Sequence, residues 1–331
     1  MQHAIRSVAG IALALAFLFA PGLRLAAQTQ PSPAPQATDP FLWLEDKDGA
    51  RAMAWVKAEN EKTLAVLTAA PGYQQRYDDA LAIAQSKDRI PYPTFLRGDL
   101  YNFWQDATHV RGIWRTTTPQ SYATDAPGWT TVLDLDALAK RENANWVWEG
   151  ENCYFPAEKR CLIQLSDGGE DAQTIREFDM VSRSFVSDGF VLPRGKQNAA
   201  WENAGALLVA REWKPGDLTA SGYPFIVKRV KRGVSLSKAV EVFRGVKSDV
   251  SVNALTLDDG NGHHAVVIQR GVDFFHSQFY IETPGGFKQL AVPPKAQLQT
   301  MVEGKLVFEI DQRATIDGIA IPSGSLVSID L

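Results

Sequence analysis

"LIQLSDGGEDAQTIREFD", Leu162 to Asp179, decides the fold. Two β-prone runs, Leu162 to Ser166 and Thr174 to Asp179, flank a segment of acidic residues and paired glycines, which is turn chemistry. Immediately upstream, "NCYFPAEKRCL" has Cys153 and Cys161 placed symmetrically about Ala157, with strand-like residues outside and "PAEK" inside. A hairpin there sets the two cysteines opposite each other, and a structural disulfide is the favoured reading. Two cysteines without a neighbouring His or Asp make a poor zinc site, and no histidine close in sequence supports a cysteine nucleophile.

The same texture extends in both directions. Further strands are predicted at Leu100 to Gln105, Gly112 to Thr117, Thr130 to Asp134, Trp146 to Gly150, Ala206 to Ala210, Phe225 to Val230, Ala265 to Arg270, Gln278 to Glu282, Leu306 to Ile310 and Ser325 to Asp330. They are too many for one small barrel. Groups of strands recur at roughly 45 to 50 residues, the spacing of four-stranded propeller blades. The predicted class is mainly β, with about four blades and part of a fifth between Pro93 and Leu331. A chain that stops inside the strand-like "SGSLVSIDL" leaves a blade incomplete and reads as a fragment, since a propeller hides its edges by closing its ring.

Before Pro93 the pattern is different. "MQHAIRSVAGIALALAFLFAPGLRLAAQ" has a basic start, an apolar run from Val8 to Ala20 and small residues before Gln28, which predicts a secretory signal over residues 1–27 cut near Ala27–Gln28. Removing Arg6 and Arg24 takes the formal charge from −4 to −6. The expected location is periplasmic or secreted, with no membrane association after cleavage. Residues 28–38 are Pro- and Ala-rich and read as a linker. Residues 39–92 read as a helical segment: a helix of about five turns capped by Asp48, bearing Met53, Val56, Leu64 and Leu67 with Trp55 beside them, then a second helix from Tyr73 to Ala84. Lys and Arg are scattered apart from "KRVKRG" at Lys228 to Gly233, so charge gives no support for a nucleic-acid partner.

"DPFLWLED" at Asp39 to Asp46 followed by "AWVKAEN" at Ala54 to Asn60 closely resembles the N-terminal signature of the prolyl oligopeptidase family of serine peptidases. "YPTFLRGDLYNFWQDATHVRGIWRTT", "LIQLSDGGEDAQTIREFDMVSRSFVSDGF" and "QNAAWENAGALLVA" resemble its first three blades, in order. The resemblance implies an N-terminal helical segment, a seven-bladed propeller of which residues 93–331 are a truncated part, and a C-terminal α/β-hydrolase domain absent from this sequence. It also implies a serine oligopeptidase acting on short peptides, with the propeller as a size filter. The family's catalytic Ser, Asp and His belong to the hydrolase domain. No serine here stands in a Gly-x-Ser-x-Gly elbow, so no residue inherits a catalytic role and the chain alone is expected to be inactive. The alternative is a short, non-catalytic exported propeller that binds peptides or a protein partner, which requires its last strand to pair with its first.

Several sharper motifs have plainer explanations. His263 and His264 follow Asp258 and Asp259, but adjacent residues on a strand face opposite ways and converge poorly on one metal ion. "RGD" at Arg97 to Asp99 fits a hairpin turn better than an adhesion motif, and "SDGGED" at Ser166 to Asp171 lacks the ligand spacing of a calcium loop. Trp146, Trp148 and Trp201 lie in strand runs, where large rings fill cores. No metal or cofactor is expected.

Overall fold

A computed structural model describes residues 39–46, 48–316 and 318–331; the signal expected over residues 1–27 and the linker expected over residues 28–38 lie outside the described residues. The chain divides into two compact units, Met1–Arg76 and Tyr77–Leu331. In the first, helix α1 (Ala50–Thr68) starts at Gly49 rather than Asp48, because the Gly49 N–H closes a turn on Asp46 and its carbonyl accepts the first helical bond, from Met53. Trp43 meets Trp55 edge-on at 6.1 Å, and the Arg51 guanidinium lies 4.1 Å over Trp43. Met53, Trp55, Val56, Leu64 and Leu67 are all exposed. Helix α2 (Tyr73–Gln85) spans the division between the units.

Among the described residues the second unit contains five antiparallel blade sheets and a separate two-stranded hairpin sheet. Sheet one holds β1 (Thr94–Leu96), β2 (Asp99–Trp104), β3 (Ile113–Thr117) and β4 (Thr130–Asp134). Sheet two holds β5 (Trp146–Cys153), β6 (Arg160–Asp167) and β7 (Gln173–Asp179), with β8 (Ser184–Phe185) and β9 (Val191–Gly195) both on β7. Sheet three is β10 (Gln197–Asn203), β11 (Ala206–Arg211), β12 (Ile226–Lys231) and β13 (Val240–Arg244). Sheet four is β14 (Ser251–Asp258), β15 (His264–Gly271), β16 (Ser277–Thr283) and β17 (Gly286–Gln289). Sheet five is β18 (Ala296–Val302), β19 (Lys305–Ile310) and β22 (Ser325–Asp330), with the hairpin β20 (Ala314–Ile316) and β21 (Ile319–Ile321) inserted before its last strand. This is a five-bladed propeller arrangement. Strand β22 pairs with β19, not with β1, so the ring closure that a self-contained short propeller needs is not made by strand pairing.

The predicted strands all occur, and so do the predicted turns. Arg97 and Gly98, with φ of 55° and 84°, form the two-residue turn between β1 and β2, whose tight right-handed twist requires both positive angles. Cys153 pairs with Cys161 across β5 and β6, and the two are disulfide-bonded.

Alternation along the second strand of each blade explains how the sheets hold together. Cys161, Ile163 and Leu165 of β6 pack with Tyr101, Trp114 and Val132 of sheet one. Leu162, between them, packs instead with Trp201, Leu207 and Val209 of sheet three. Leu208 and Ala210 of β11 turn the other way, toward Val252, Val266 and Ile268 of sheet four. Ala265 and Val267 of β15 then face Leu306, Phe308 and Ile310 of sheet five. A strand buried on both faces reads as a continuous apolar run, which is why "ALLVA" and "AVVI" lack polar alternation.

Polar contacts at one end of the sheets fasten the same neighbours. The Arg97 N–H donates to Glu158 between blades one and two, and Arg232 holds the buried Glu177 carboxylate at 2.7 Å between blades two and three. Arg229 bridges Glu202 and Glu282 between blades three and four. Leu208 is fully buried whereas Leu326 of β22 is 68% exposed. Leu208→Ala is therefore expected to cost about 2–5 kcal/mol and Leu326→Ala less than about 0.5, measured by urea unfolding.

Candidate functional site: the wall of first strands

The chemistry of the propeller unit is set by the strands that begin each blade. β1, β5, β10, β14 and β18 are edge strands of their sheets, so each leaves one backbone edge without a sheet partner. Side chains stitch that edge to the next blade. Asn152 Nδ2 donates to the Ala199 carbonyl at 3.1 Å, and Trp201 Nε1 donates back to the Asn152 carbonyl at 2.9 Å. Asn198 Oδ1 accepts from the Ala254 N–H at 3.1 Å, and the Thr256 hydroxyl donates to the Trp201 carbonyl at 2.5 Å. β5, β10 and β14 thereby stand side by side as one wall. In propellers the strands at the inner edge of the blades line the central channel.

The wall carries Glu149, Glu151, Glu202 and Asp258 and no lysine or arginine. Glu202 is neutralised by Arg229, at 2.6 Å from the Arg229 Nε. Burial pushes the neighbouring Glu282 carboxyl up, and the negative charge of Glu202 adds to it; Arg229 opposes both. Glu149 sits at a bulge between Trp148 and Gly150 and accepts the Ser166 hydroxyl at 2.5 Å. Burial pushes the Glu151 carboxyl up, its own backbone N–H offsetting part of the rise. Such a surface offers hydrogen-bond acceptors and carboxamides to an extended peptide, but no activated nucleophile.

Each described histidine already has a polar partner. His109 pairs with Asp106 at 3.0 Å, His263 with Asp259 at 2.7 Å and His276 with Asp273 at 2.8 Å. His264 Nε2 lies 3.1 Å from the Glu202 carbonyl oxygen, so His263 and His264 diverge as strand geometry predicts. None of these imidazoles hydrogen-bonds a serine or cysteine among the described residues. Trp201 is buried, and Trp146 and Trp148 pack on the core between sheets one and two. The "SDGGED" glycines, Gly168 and Gly169, take positive φ in the turn from β6 to β7.

The family model for the prolyl oligopeptidase N-terminal beta-propeller domain matches residues 24–311. The chain belongs to the prolyl oligopeptidase family. An uncharacterized peptidase of Sinorhizobium fredii is 43% identical over 305 residues, covering 89% of this chain and 42% of the relative. A second uncharacterized peptidase, from Rickettsia prowazekii, is 28% identical over 300 residues. Among solved structures, a post-proline cleaving enzyme from Rickettsia typhi aligns with a TM-score of 0.79 at 27% identity, over 87% of this chain and 44% of that one. Oligopeptidase B from Leishmania major shares the fold, with a TM-score of 0.60 at 12% identity over 82% of this chain and 37% of that chain. This prolyl oligopeptidase-family chain spans less than half the length of these relatives.

One turn of the propeller links two blades through a single carboxylate. Asp259 Oδ2 accepts from His263 Nδ1 in its own turn and from the Gly304 N–H, at 2.9 Å, in the β18–β19 turn. Burial alone would raise this carboxyl, but the Asn261 N–H, His263 and the Gly304 N–H bring it down to about 2. An acid whose pKa is depressed on folding contributes stability above its unfolded pKa, near 3.9, and loses it as pH falls toward the folded value. Wild type is therefore expected to lose stability between about pH 4 and pH 2 more steeply than Asp259→Asn, in thermal melts followed across that range.

Proposed function

We propose that this chain is the N-terminal and propeller portion of an exported serine oligopeptidase that cleaves short peptides, after proline, and that the propeller gates access to a hydrolase domain. The observation that carries the reading is the family match across residues 24–311 together with the shared architecture of the post-proline cleaving enzyme. The wall of first strands supports the gating role, since stitched, close-set strands resist spreading and restrict a channel to extended chains. The exposed Trp55, Leu64 and Leu67 of α1 supply an apolar face for the hydrolase domain to cover. Export rests on the N-terminal sequence, and the disulfide suits an oxidising compartment.

In this reading the serine nucleophile, its histidine base and the orienting aspartate belong to the hydrolase domain, and the acyl-enzyme forms there. The purified 331-residue chain is expected to show no covalent labelling by a fluorophosphonate probe. A labelled band about twice the size of this chain is expected when a periplasmic extract of the source cells is probed and captured with an antibody against the propeller. Stoichiometric labelling of the purified chain contradicts the proposal. An unlabelled native band of the short size would instead favour the non-catalytic binding module.

A further inference from the structure

The turn between β14 and β15, "DDGNGHH" at Asp258 to His264, ties its own blade, the fourth, to three others. His264 Nε2 lies 3.1 Å from the Glu202 carbonyl oxygen of blade three. Asp259 Oδ2 accepts the Gly304 N–H of blade five at 2.9 Å, and the His263 ring packs so closely there that a Cβ on Gly304 would stand 3.0 Å from it. From blade two, the Phe155 ring comes within 3.6 Å of where a Cβ on Gly260 would stand. Blades spread apart with distance from the propeller axis, so a side chain of blade two reaches blade four only near that axis. The turn therefore stands at the inner end of the wall of first strands. Blades three and five flank it on both sides, so described strands alone define its setting.

Asn261, in the middle of this turn, is open to attack by its own neighbour. It alone among the asparagines of the chain is followed by glycine, and both residues are exposed. The Asn261 N–H donates to Asp259 Oδ1 at 2.9 Å, but the Asn261 carboxamide and the Gly262 N–H make no hydrogen bond among the described residues. Gly262 has a φ of 97°, and a Cβ placed there would meet nothing within 4 Å, so neither a side chain nor a neighbour screens its nitrogen. Asn152 and Asn198 show the protected case. Their carboxamides bond the next blade, and each is followed by a residue held in a strand ladder.

We propose that Asn261 is a site of spontaneous deamidation through a succinimide, and that isoaspartate formed there unfastens the turn from blade five. The Gly262 nitrogen gives up its proton to water or hydroxide and attacks Asn261 Cγ; the new N–C bond forms, the Cγ–Nδ2 bond breaks, and Nδ2 takes a proton from water and leaves as ammonia. Water then opens the ring. Cleavage at Cγ leaves aspartate, and cleavage at the backbone carbonyl leaves isoaspartate, in which the main chain runs through the side-chain methylene and is one atom longer. That extra atom falls between Asp259 and His263, the two residues that hold Gly304. The new carboxylate also stands among Asp258 and Asp259, and like charges at this spacing repel. The reaction needs only water and stands or falls apart from the peptidase reading.

The test is peptide mapping by mass spectrometry of the 331-residue chain incubated at mildly alkaline pH, beside a free peptide of sequence DDGNGHH. The expected result is aspartate and isoaspartate at position 261 of the folded chain, formed within about tenfold of the rate in the free peptide and at least about tenfold faster than at any other asparagine. Asn261→Gln should remove the conversion and leave the melting temperature unchanged, since the replaced carboxamide has no partner. Amide exchange in residues 259–263 and 302–305 should be at least about threefold faster in incubated wild type than in fresh protein, and unaltered in incubated Asn261→Gln. An unconverted Asn261 in folded protein while the free peptide converts, or conversion no faster than at the other asparagines, would overturn the site. Isoaspartate at 261 with unchanged exchange in both turns would overturn the unfastening.

Discussion

The propeller depends on strands that are buried on both faces. In β6, β11 and β15 each successive side chain belongs to a different core, so a single strand serves as the shared wall between two interfaces. Register is consequently fixed with unusual strictness: a slip of one residue would exchange Leu207 with Leu208 and move every neighbour to the wrong core. Other features reinforce that register. The Cys153–Cys161 bond pins β5 to β6 at its turn end, and the side-chain bonds of Asn152, Asn198 and Thr256 align successive first strands.

Much of this was legible in the sequence because two-faced burial leaves a distinctive trace. "ALLVA" and "AVVI" are continuous apolar runs and "CLIQL" is broken only by Gln164, and each proved to be a second strand. The first strands were harder to see. "QNAAWEN" and "SVNALTLD" mix Asn, Ser and Glu with apolar residues, since one edge is polar and stitched to a neighbour. Helix α1 was legible but its start was not, because Gly49 rather than Asp48 has the geometry of the cap. The helix at Leu135–Glu142 was not read from the sequence although its signals are plain. Asp134 accepts from the Ala137 N–H, Lys140 and Arg141 occupy the last turn, and Asn143 ends it in a left-handed conformation. Asp134 closes a strand and caps a helix at once, and the strand reading hid the cap.

Surface chemistry was the least legible part. Arg89, Trp104, Arg115 and Trp129 have no sequence relationship that predicts a stack; only the pairing of β2 with β3, and the loop that returns Trp129 over them, bring the rings together. The Asp–His pairs show the opposite case. Asp106 with His109, Asp259 with His263 and Asp273 with His276 are close in sequence and look like candidate chemistry, yet each serves a turn. What the described residues offer is a stitched wall whose charged side chains are all acidic and a helix, α1, with an exposed apolar face.

Amide hydrogen exchange by mass spectrometry tests the central claim most directly, since protection reports which backbone segments open only with the whole fold. If two-faced strands hold the propeller together, the slowest exchange falls in Cys161–Leu165, Leu207–Ala210 and Ala265–Ile268, with β13, β17 and β22 exchanging well before them. Protection that is uniform across all strands, or greatest in the outer strands or in α1, would contradict the account.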